Sequence, residues 1–281
     1  MRNPAMLVDC RKFKMCAAMH DARRVPAEVP VAFVYDGSTY AVMMASPSDL
    51  EDFALGFSLA EGIVSNSQEI VSLDIIEQDK GIELRLWLSP DRGRNLAERR
   101  RHMAGPTGCG LCGVESLDAA VPSCPRVSST LTVTADDIGK ALVALPAAQL
   151  LHRETHAVHG AGFWSRAQGL LALAEDVGRH NALDKLVGRL RREAVSINEG
   201  IVLLTSRVSV EMVQKAAVAG APIVAAVSVP TALALETADQ AGITLVAIAR
   251  ADGFEVFTHP HRIMDVVAPA NQRKAEVERA A

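Results

Sequence analysis

Four short, unbroken apolar runs in the second half of the chain, residues 170–174, 201–204, 223–227 and 243–249, constrain its fold more than any other feature. A strand with one wet face alternates apolar and polar residues, whereas a strand covered on both faces is apolar throughout. Between the runs lie stretches of helical length with one apolar face. Leu183, Leu186, Val187 and Leu190 mark the first, Val213, Ala216, Ala217 and Gly220 the second, and residues 231–241 form the third. This alternation predicts a mainly parallel sheet between layers of helices, a three-layer α/β domain whose ligands sit off the carboxyl ends of the strands.

The first hundred residues carry a different signal. Val31-Ala32-Phe33-Val34-Tyr35, an Asp36-Gly37 turn and Tyr40-Ala41-Val42-Met43-Met44 have the form of a β-hairpin. Ser46 is placed to cap a helix with Pro47 at its first position and Asp49 three residues on; Leu50, Phe53, Ala54 and Phe57 give its buried stripe, and Gly62 its end. Residues 70–76 and 82–86 read as two further strands, so this unit is a small α+β domain. The expected organisation is a flexible tail over 1–24, the N-terminal α+β domain over 25–127, the C-terminal α/β domain over 128–268 and a tail over 269–281. At 281 residues the chain is long enough to bury a core in each domain. A net charge of −4 gives no reason to expect nucleic acid as a partner. No run of about 20 apolar residues predicts a membrane span, no secretory segment is evident, and an odd count of five cysteines suits a reducing compartment, so a cytoplasmic location is expected.

Two thiols carry the most specific chemistry, Cys109 and Cys112 in Thr107-Gly108-Cys109-Gly110-Leu111-Cys112-Gly113. Glycines on either side allow positive φ and close approach of a ligand, which suits an accessible loop. A thiol reacts as its thiolate. The pair fits half of an irregular zinc site completed by His102 and Cys124, a dithiol/disulfide couple, or a carrier that holds sulfur as a persulfide. Arg92, Arg94, Arg99, Arg100 and Arg101 form either a solvated face or a positive collar that favours the thiolate, while Glu115 and Asp118 oppose it.

In the second half, Asp176, Arg179, His180, Asn181 and Asp184 follow a buried strand as a dense polar set. A structural cap or ion pair is the commoner explanation of such a set, a site the other. His156 and His159 precede that strand, and each alone suits a hydrogen-bonding role. Ser206 and Arg207, at a strand-to-helix turn, offer helix N–H groups and a guanidinium to a phosphate, without a Walker or dinucleotide glycine fingerprint. The His-x-Glu and Pro-Cys-x-x-Cys pair of zinc deaminases is absent, which disfavours base deamination.

The dithiol segment, Glu175-Asp176-Val177-Gly178-Arg179-His180-Asn181-Ala182, residues 209–217, Thr258-His259-Pro260 and Arg262-Ile263 together resemble the formate dehydrogenase accessory sulfurtransferase family. Val29-Pro30-Val31 and Asp52-Phe53-Ala54-Leu55-Gly56-Phe57 extend the likeness to residues 25–267 in one order and spacing. His156-Ala157 stands where that family tends to carry Gly-Gly, and Thr205-Ser206-Arg207 where it carries Ser-Gly-Arg. The resemblance implies a sulfur carrier: a cysteine desulfurase loads persulfide on Cys109, with Cys112 as second thiol. Sulfur then passes to the bis(molybdopterin guanine dinucleotide) molybdenum cofactor destined for formate dehydrogenase. It also implies a C-terminal domain similar to the cytidine deaminase fold, a homodimer, and a cofactor-binding segment at Ile248, Ala249, Arg250, Ala251, Asp252 and Gly253. With Arg179, His180 and Arg207 this segment would hold the cofactor, for which guanosine diphosphate serves as a mimic, and no structural metal is expected. The reading from another class is a non-catalytic, zinc-stabilised nucleotide- or cofactor-binding chaperone.

Overall fold

The computed structural model describes residues 2–14, 17–102, 124–250 and 253–264. The hairpin expected from residues 31–44 is strand β3 (Val29–Tyr35) and strand β4 (Ser38–Ala45), joined by Asp36 and Gly37 at φ 47° and 77°. Positive φ at both central residues matches the twist of the flanking strands. Strands β5 (Ile70–Gln78) and β6 (Gly81–Leu88) complete a four-stranded sheet in the order β4-β3-β6-β5, with β3 and β6 parallel. One face of it packs on helix α1 (Leu50–Ala60), where the Phe33 and Phe57 rings stack at 4.0 Å and Phe53 meets Phe33 edge-on. Helix α2 (Pro90–His102) follows, its Arg92 paired with Glu69 at 2.9 Å.

Two expectations for this unit fail. Helix α1 starts at Leu50 behind Asp49, which has φ 51° and makes no side-chain cap, so Ser46 is not an N-cap and Pro47 not a first-turn residue. Ser46 is instead buried and drawn to residues 130 positions away, as described below. Residues 1–24 are not a flexible tail either: β1 (Ala5–Lys14) and β2 (Ala17–Pro26) pair antiparallel as a ribbon. Most of its side chains are exposed, so its alternation buries nothing and leaves no period to read in the sequence.

The second half contains helix α3 (Ala135–Ala148), helix α4 (Leu150–Thr155), strands β8 (His159–Ser165) and β9 (Gly169–Asp176), and helix α5 (Arg179–Arg192). Then β10 (Ile201–Leu204), α6 (Val210–Ala219), β11 (Ile223–Ala226), α7 (Ala232–Ala241), β12 (Thr244–Arg250) and β13 (Gly253–Val256) alternate. Short strands β7 (Val133–Thr134) and β14 (Ile263–Met264) pair beside them. The six-stranded sheet runs β13-β12-β11-β10-β8-β9. Only β10, β11 and β12 are mutually parallel; β8, β9 and β13 pair antiparallel, which corrects the mainly parallel expectation to a mixed sheet. Strand β8 reads His-Gly-Ala-Gly-Phe-Trp-Ser, and its two glycines break the apolar run that would have marked it.

Alternation within each buried strand sorts the core into two clusters. Trp164, Ile201, Leu203, Ile223 and Val246 face Ile138, Ala141 and Leu145 of α3. Phe163, Val202, Leu204, Val224 and Leu245 face α5, α6 and α7, and this cluster continues into α1 and the N-terminal sheet. Sheet and helices thus stack in three layers, with the N-terminal unit sharing the larger core. The two units meet where α1 crosses α5. A Cβ on Gly56 would lie 1.7 Å from the Asp184 carbonyl oxygen, and one on Gly188 1.9 Å from that of Asp52. Backbone at the other end of each contact cannot move aside.

Replacing Gly56 or Gly188 by alanine is therefore expected to destabilise the protein by about 3 kcal/mol or more in urea unfolding, through overpacking. Gly139→Ala in α3, where a Cβ meets nothing within 4 Å, is expected to stabilise by roughly 0.8 kcal/mol through helix propensity. Equal effects at all three positions would show that the helix crossing carries no constraint.

Candidate functional site

Strand direction brings one set of turns to a single edge. The parallel strands β10, β11 and β12 end there; β8 begins there because Ala161 pairs with Leu204, and β9 ends there because Asp176 pairs with His159. Helices α5, α6 and α7 start at the same edge, each directing N–H groups and the positive end of its dipole outward. Hydrogen bonds tie the turns together. Gly160 N–H donates to Thr205 Oγ1 (2.8 Å), Thr231 N–H to the Val208 carbonyl (3.0 Å), and Ile248 N–H to the Ser228 carbonyl (3.3 Å).

The polar set after β9 divides between structure and edge. Asp176 is wholly buried and paired with the equally buried Lys185, Nζ to Oδ2 at 2.7 Å. Its Oδ2 also accepts from the Ser46 N–H (2.9 Å), and its Oδ1 from Gly178 N–H (2.8 Å) and Asn181 Nδ2 (2.9 Å). Lys185 donates to the Ser46 carbonyl (2.9 Å), Asn181 Nδ2 to the Met44 carbonyl (2.9 Å), and Val177 N–H to Ser46 Oγ (3.2 Å). The β4–α1 turn of the N-terminal unit therefore holds the turn that carries Arg179 and His180.

Arg179 and His180 open α5 at the edge, and each keeps a buried nitrogen, Nε and Nε2, with no hydrogen-bond partner among the described residues; the Ser209 hydroxyl at the start of α6 is in the same state. Glu211 Oε2 lies 2.8 Å from His180 Nε2 but outside hydrogen-bonding geometry. Burial, then the charges of Arg179 and Lys215, push His180 down to about 4, and burial with Arg179 lowers His159 as well. His180 is thus a neutral imidazole near pH 7. One helical turn deeper, Lys215 Nζ holds both Asp184 oxygens at 2.8 and 2.9 Å and borders a pocket of about 260 Å³. Burial pushes that carboxyl up to about 6, partly offset by Lys215.

Arg207 is exposed in the turn after β10, and Arg250 is exposed at the end of β12. Just before Arg250 the β12–β13 register shifts, Ile248 has φ 52°, and Ala249 stays buried. Gly253 opens β13; Ala251, Asp252, Cys109 and Cys112 lie outside the described residues, as does the side chain of His102. Cys124 is half-buried and its thiol is pushed up by burial. The structure thus brings Arg179, His180, Arg207, Ile248, Ala249, Arg250 and Gly253 to one edge. Lys185 is not marked by the sequence pattern, and Ser46 is marked there only as a helix cap. Glu211 and Lys215 are legible once paired with His180 and Asp184, both couples being four apart on facing helices. The edge offers three helix N-termini, three arginines and orphaned donors, which suits a ligand with several phosphates.

The sequence profile of the FdhD/NarQ family matches residues 26–264. A protein of Agrobacterium fabrum called sulfur carrier protein FdhD is 57% identical over 243 residues, 86% of this chain and 90% of that one. One of Brucella abortus with the same name is 51% identical over 253 residues, 90% of this chain and 94% of its own. The crystal structure of a formate dehydrogenase accessory protein from Desulfotalea psychrophila superposes with TM-score 0.72 at 26% identity, over 93% of this chain and 100% of that chain.

The His180 environment sets a pH dependence. With its folded value near 4 against 6.5 unfolded, the unfolded chain binds more protons between these values, so stability is lost as pH falls through this window. His180→Gln is expected to shrink the stability difference between pH 7 and pH 4.5 by about 2 kcal/mol in urea titrations. An unchanged difference would mean that His180 is not buried as a neutral group.

Proposed function

The chain belongs to the FdhD/NarQ family, and on that premise we propose that it is a sulfur carrier serving formate dehydrogenase, with persulfide sulfurtransferase activity at Cys109. The names of its relatives support the general role. The observation that carries the finer reading is the sheet edge, where orphaned Arg179, His180 and Ser209 atoms sit at helix N-termini beside Arg207 and Arg250. These residues fit the phosphates of a guanine dinucleotide, so the bis(molybdopterin guanine dinucleotide) molybdenum cofactor is the cargo. Ile248, Ala249, Arg250, Ala251, Asp252 and Gly253 form the cofactor-binding segment with Arg179, His180 and Arg207.

Sulfur enters by attack of the Cys109 thiolate on the outer sulfur of a persulfide on a cysteine desulfurase. The donor S–S bond breaks and the donor cysteine leaves as thiolate. Cys112 then either accepts the outer sulfur or attacks the inner one, forming a Cys109–Cys112 disulfide and releasing sulfide. No helix among the described residues is long and apolar enough to cross a membrane. The reading includes a cytoplasmic carrier acting as a homodimer.

Incubation with a cysteine desulfurase and cysteine is expected to add the mass of one sulfur atom to the protein, and Cys109→Ala to abolish both this gain and activation of formate dehydrogenase. Stoichiometric zinc bound through Cys109, Cys112, Cys124 and His102, with inert thiols, would replace the carrier reading by the zinc-stabilised chaperone. Calorimetric titration with guanosine diphosphate examines the other half. Arg250→Ala is expected to weaken binding by about 1.5 to 3 kcal/mol, the worth of a charge-assisted bond, while Cys109→Ala leaves it unchanged. Equal affinity for adenosine diphosphate would remove guanine recognition and keep phosphate binding.

A further inference from the structure

Between Arg207 and Arg250 the carboxyl edge is apolar. The turn after β11 runs Val227-Ser228-Val229-Pro230-Thr231 into Ala232 and Leu233 of α7, seven residues without a charge, and the first turn of α7 has no acidic residue. Val227 is 38%, Val229 53% and Leu233 41% exposed, and Ile248 at the end of β12 is partly exposed. Backbone hydrogen bonds hold this turn on both sides. Towards β10, Val227 N–H donates to the Leu204 carbonyl (3.0 Å), Val208 N–H to the Val229 carbonyl (3.4 Å) and Thr231 N–H to the Val208 carbonyl (3.0 Å), so that Val208 and Pro230 form a parallel bridge. Towards β12, Ile248 N–H donates to the Ser228 carbonyl (3.3 Å), and Thr231 Oγ1 caps α7 by accepting from Ala234 N–H (3.3 Å). The exposed side chains therefore stand on fixed backbone, and burying them locally would break these bonds.

Size and flanks identify the occupant. A few half-exposed side chains fall far short of the roughly 800 Å² per partner that a stable protein interface needs. An uncharged centre between guanidinium groups suits instead a small ligand that is flat and apolar at one end and anionic at the other. Adjacent strands lie about 4.8 Å apart, so the ends of β10 and β12, with β11 between them, flank the patch at about 10 Å. A nucleoside diphosphate has the required form. Its base offers a π-face that packs on apolar side chains, and its phosphates take guanidinium groups and the N–H groups at the start of α7.

We propose that Val227, Val229 and Leu233, with Ile248, form an apolar shelf on which the guanine ring of the cargo lies, while Arg207, Arg250 and the start of α7 take its phosphates. The inference rests on the nucleotide half of the preceding reading and supplies the contact for the base. A shelf holds a purine by its face and not by its edge, so it responds to ring area rather than to the groups that separate guanine from adenine.

Calorimetric titration of the full chain with guanosine diphosphate and, separately, with inorganic pyrophosphate tests it. Val229→Ser with Leu233→Ser, both at exposed positions, is expected to weaken guanosine diphosphate at least tenfold and to leave pyrophosphate within twofold. Arg250→Ala should weaken both ligands. A second readout comes from Val229→Trp, whose emission, measured against the wild-type chain with its Trp87 and Trp164, should be quenched by guanosine diphosphate and not by pyrophosphate. Undiminished guanosine diphosphate affinity in the double variant, with Arg250→Ala still weakening it, would overturn the shelf and leave the phosphate edge standing. Equal losses for the two ligands would assign these side chains to the fold and overturn the shelf as well. A wild-type chain that binds no guanosine diphosphate would overturn the shelf together with the nucleotide half of the reading, without touching sulfur loading at Cys109.

Discussion

Two opposite charges without any exposure, Lys185 and Asp176, sit 2.7 Å apart where the N-terminal unit meets the carboxyl edge of the large sheet. Removing both from water costs several kcal/mol per ion, and their attraction recovers that only if the remaining donors and acceptors are filled. Here they are filled by residues from both halves of the chain: Ser46 supplies an N–H and a carbonyl, Gly178 an N–H, and Asn181 an amide. The charges are satisfied only when the β4–α1 turn is seated against α5. The network therefore specifies one relative placement of the two units, and with it the position of Arg179 and His180.

The same pairing settles the electrostatics of the edge. An unpaired carboxylate at the start of α5 would oppose an anionic ligand, but Asp176 is neutralised by Lys185 and turned inward. Burial leaves His180 uncharged, so the positive field at the edge comes from guanidinium groups and helix dipoles. The contact of α1 with α5 at Gly56 and Gly188 reinforces this, because only backbone-to-backbone approach brings Ser46 within reach of residues more than a hundred positions later. Farther down the helices the Asp184–Lys215 pair repeats the pattern of buried charge matched by buried charge.

Much of this was legible in the sequence where one physical signal dominates. The runs at 201–204, 223–227 and 243–249 became β10, β11 and β12 because complete burial leaves an apolar record, and the Asp36-Gly37 turn was recognisable from its demand for positive φ. Strand β8 was hidden by Gly160 and Gly162, which lie where a Cβ would crowd the side-chain ends of Gln149 and Leu145. The ribbon was hidden because its strands bury almost nothing, and Ser46 was misread because a serine before proline has the form of a cap wherever it lies. Arg179, His180 and Arg207 could be named from their place after strands. Their shared edge, and the orphaned state of their neighbour Ser209, depend on strand order, which no local pattern encodes.

Backbone strain gives a separate line of argument for the end of β12. Of the described non-glycine residues at positive φ, Asp36, Asp49, His156, Ala194, Ile248 and His259, only Ile248 is β-branched. That conformation costs about 1–2 kcal/mol for an L-residue and more for a branched one. It persists because the surroundings fix it: the Ile248 N–H is held by Ser228, and Ala249 is packed in the core. The bulge that results is followed at once by the exposed Arg250 and by the return strand β13. Strain of this kind gathers where a fold must aim a particular side chain or backbone segment at a ligand. The strained Ile248 thus fixes the backbone directly before Arg250, within the segment proposed to bind the cofactor.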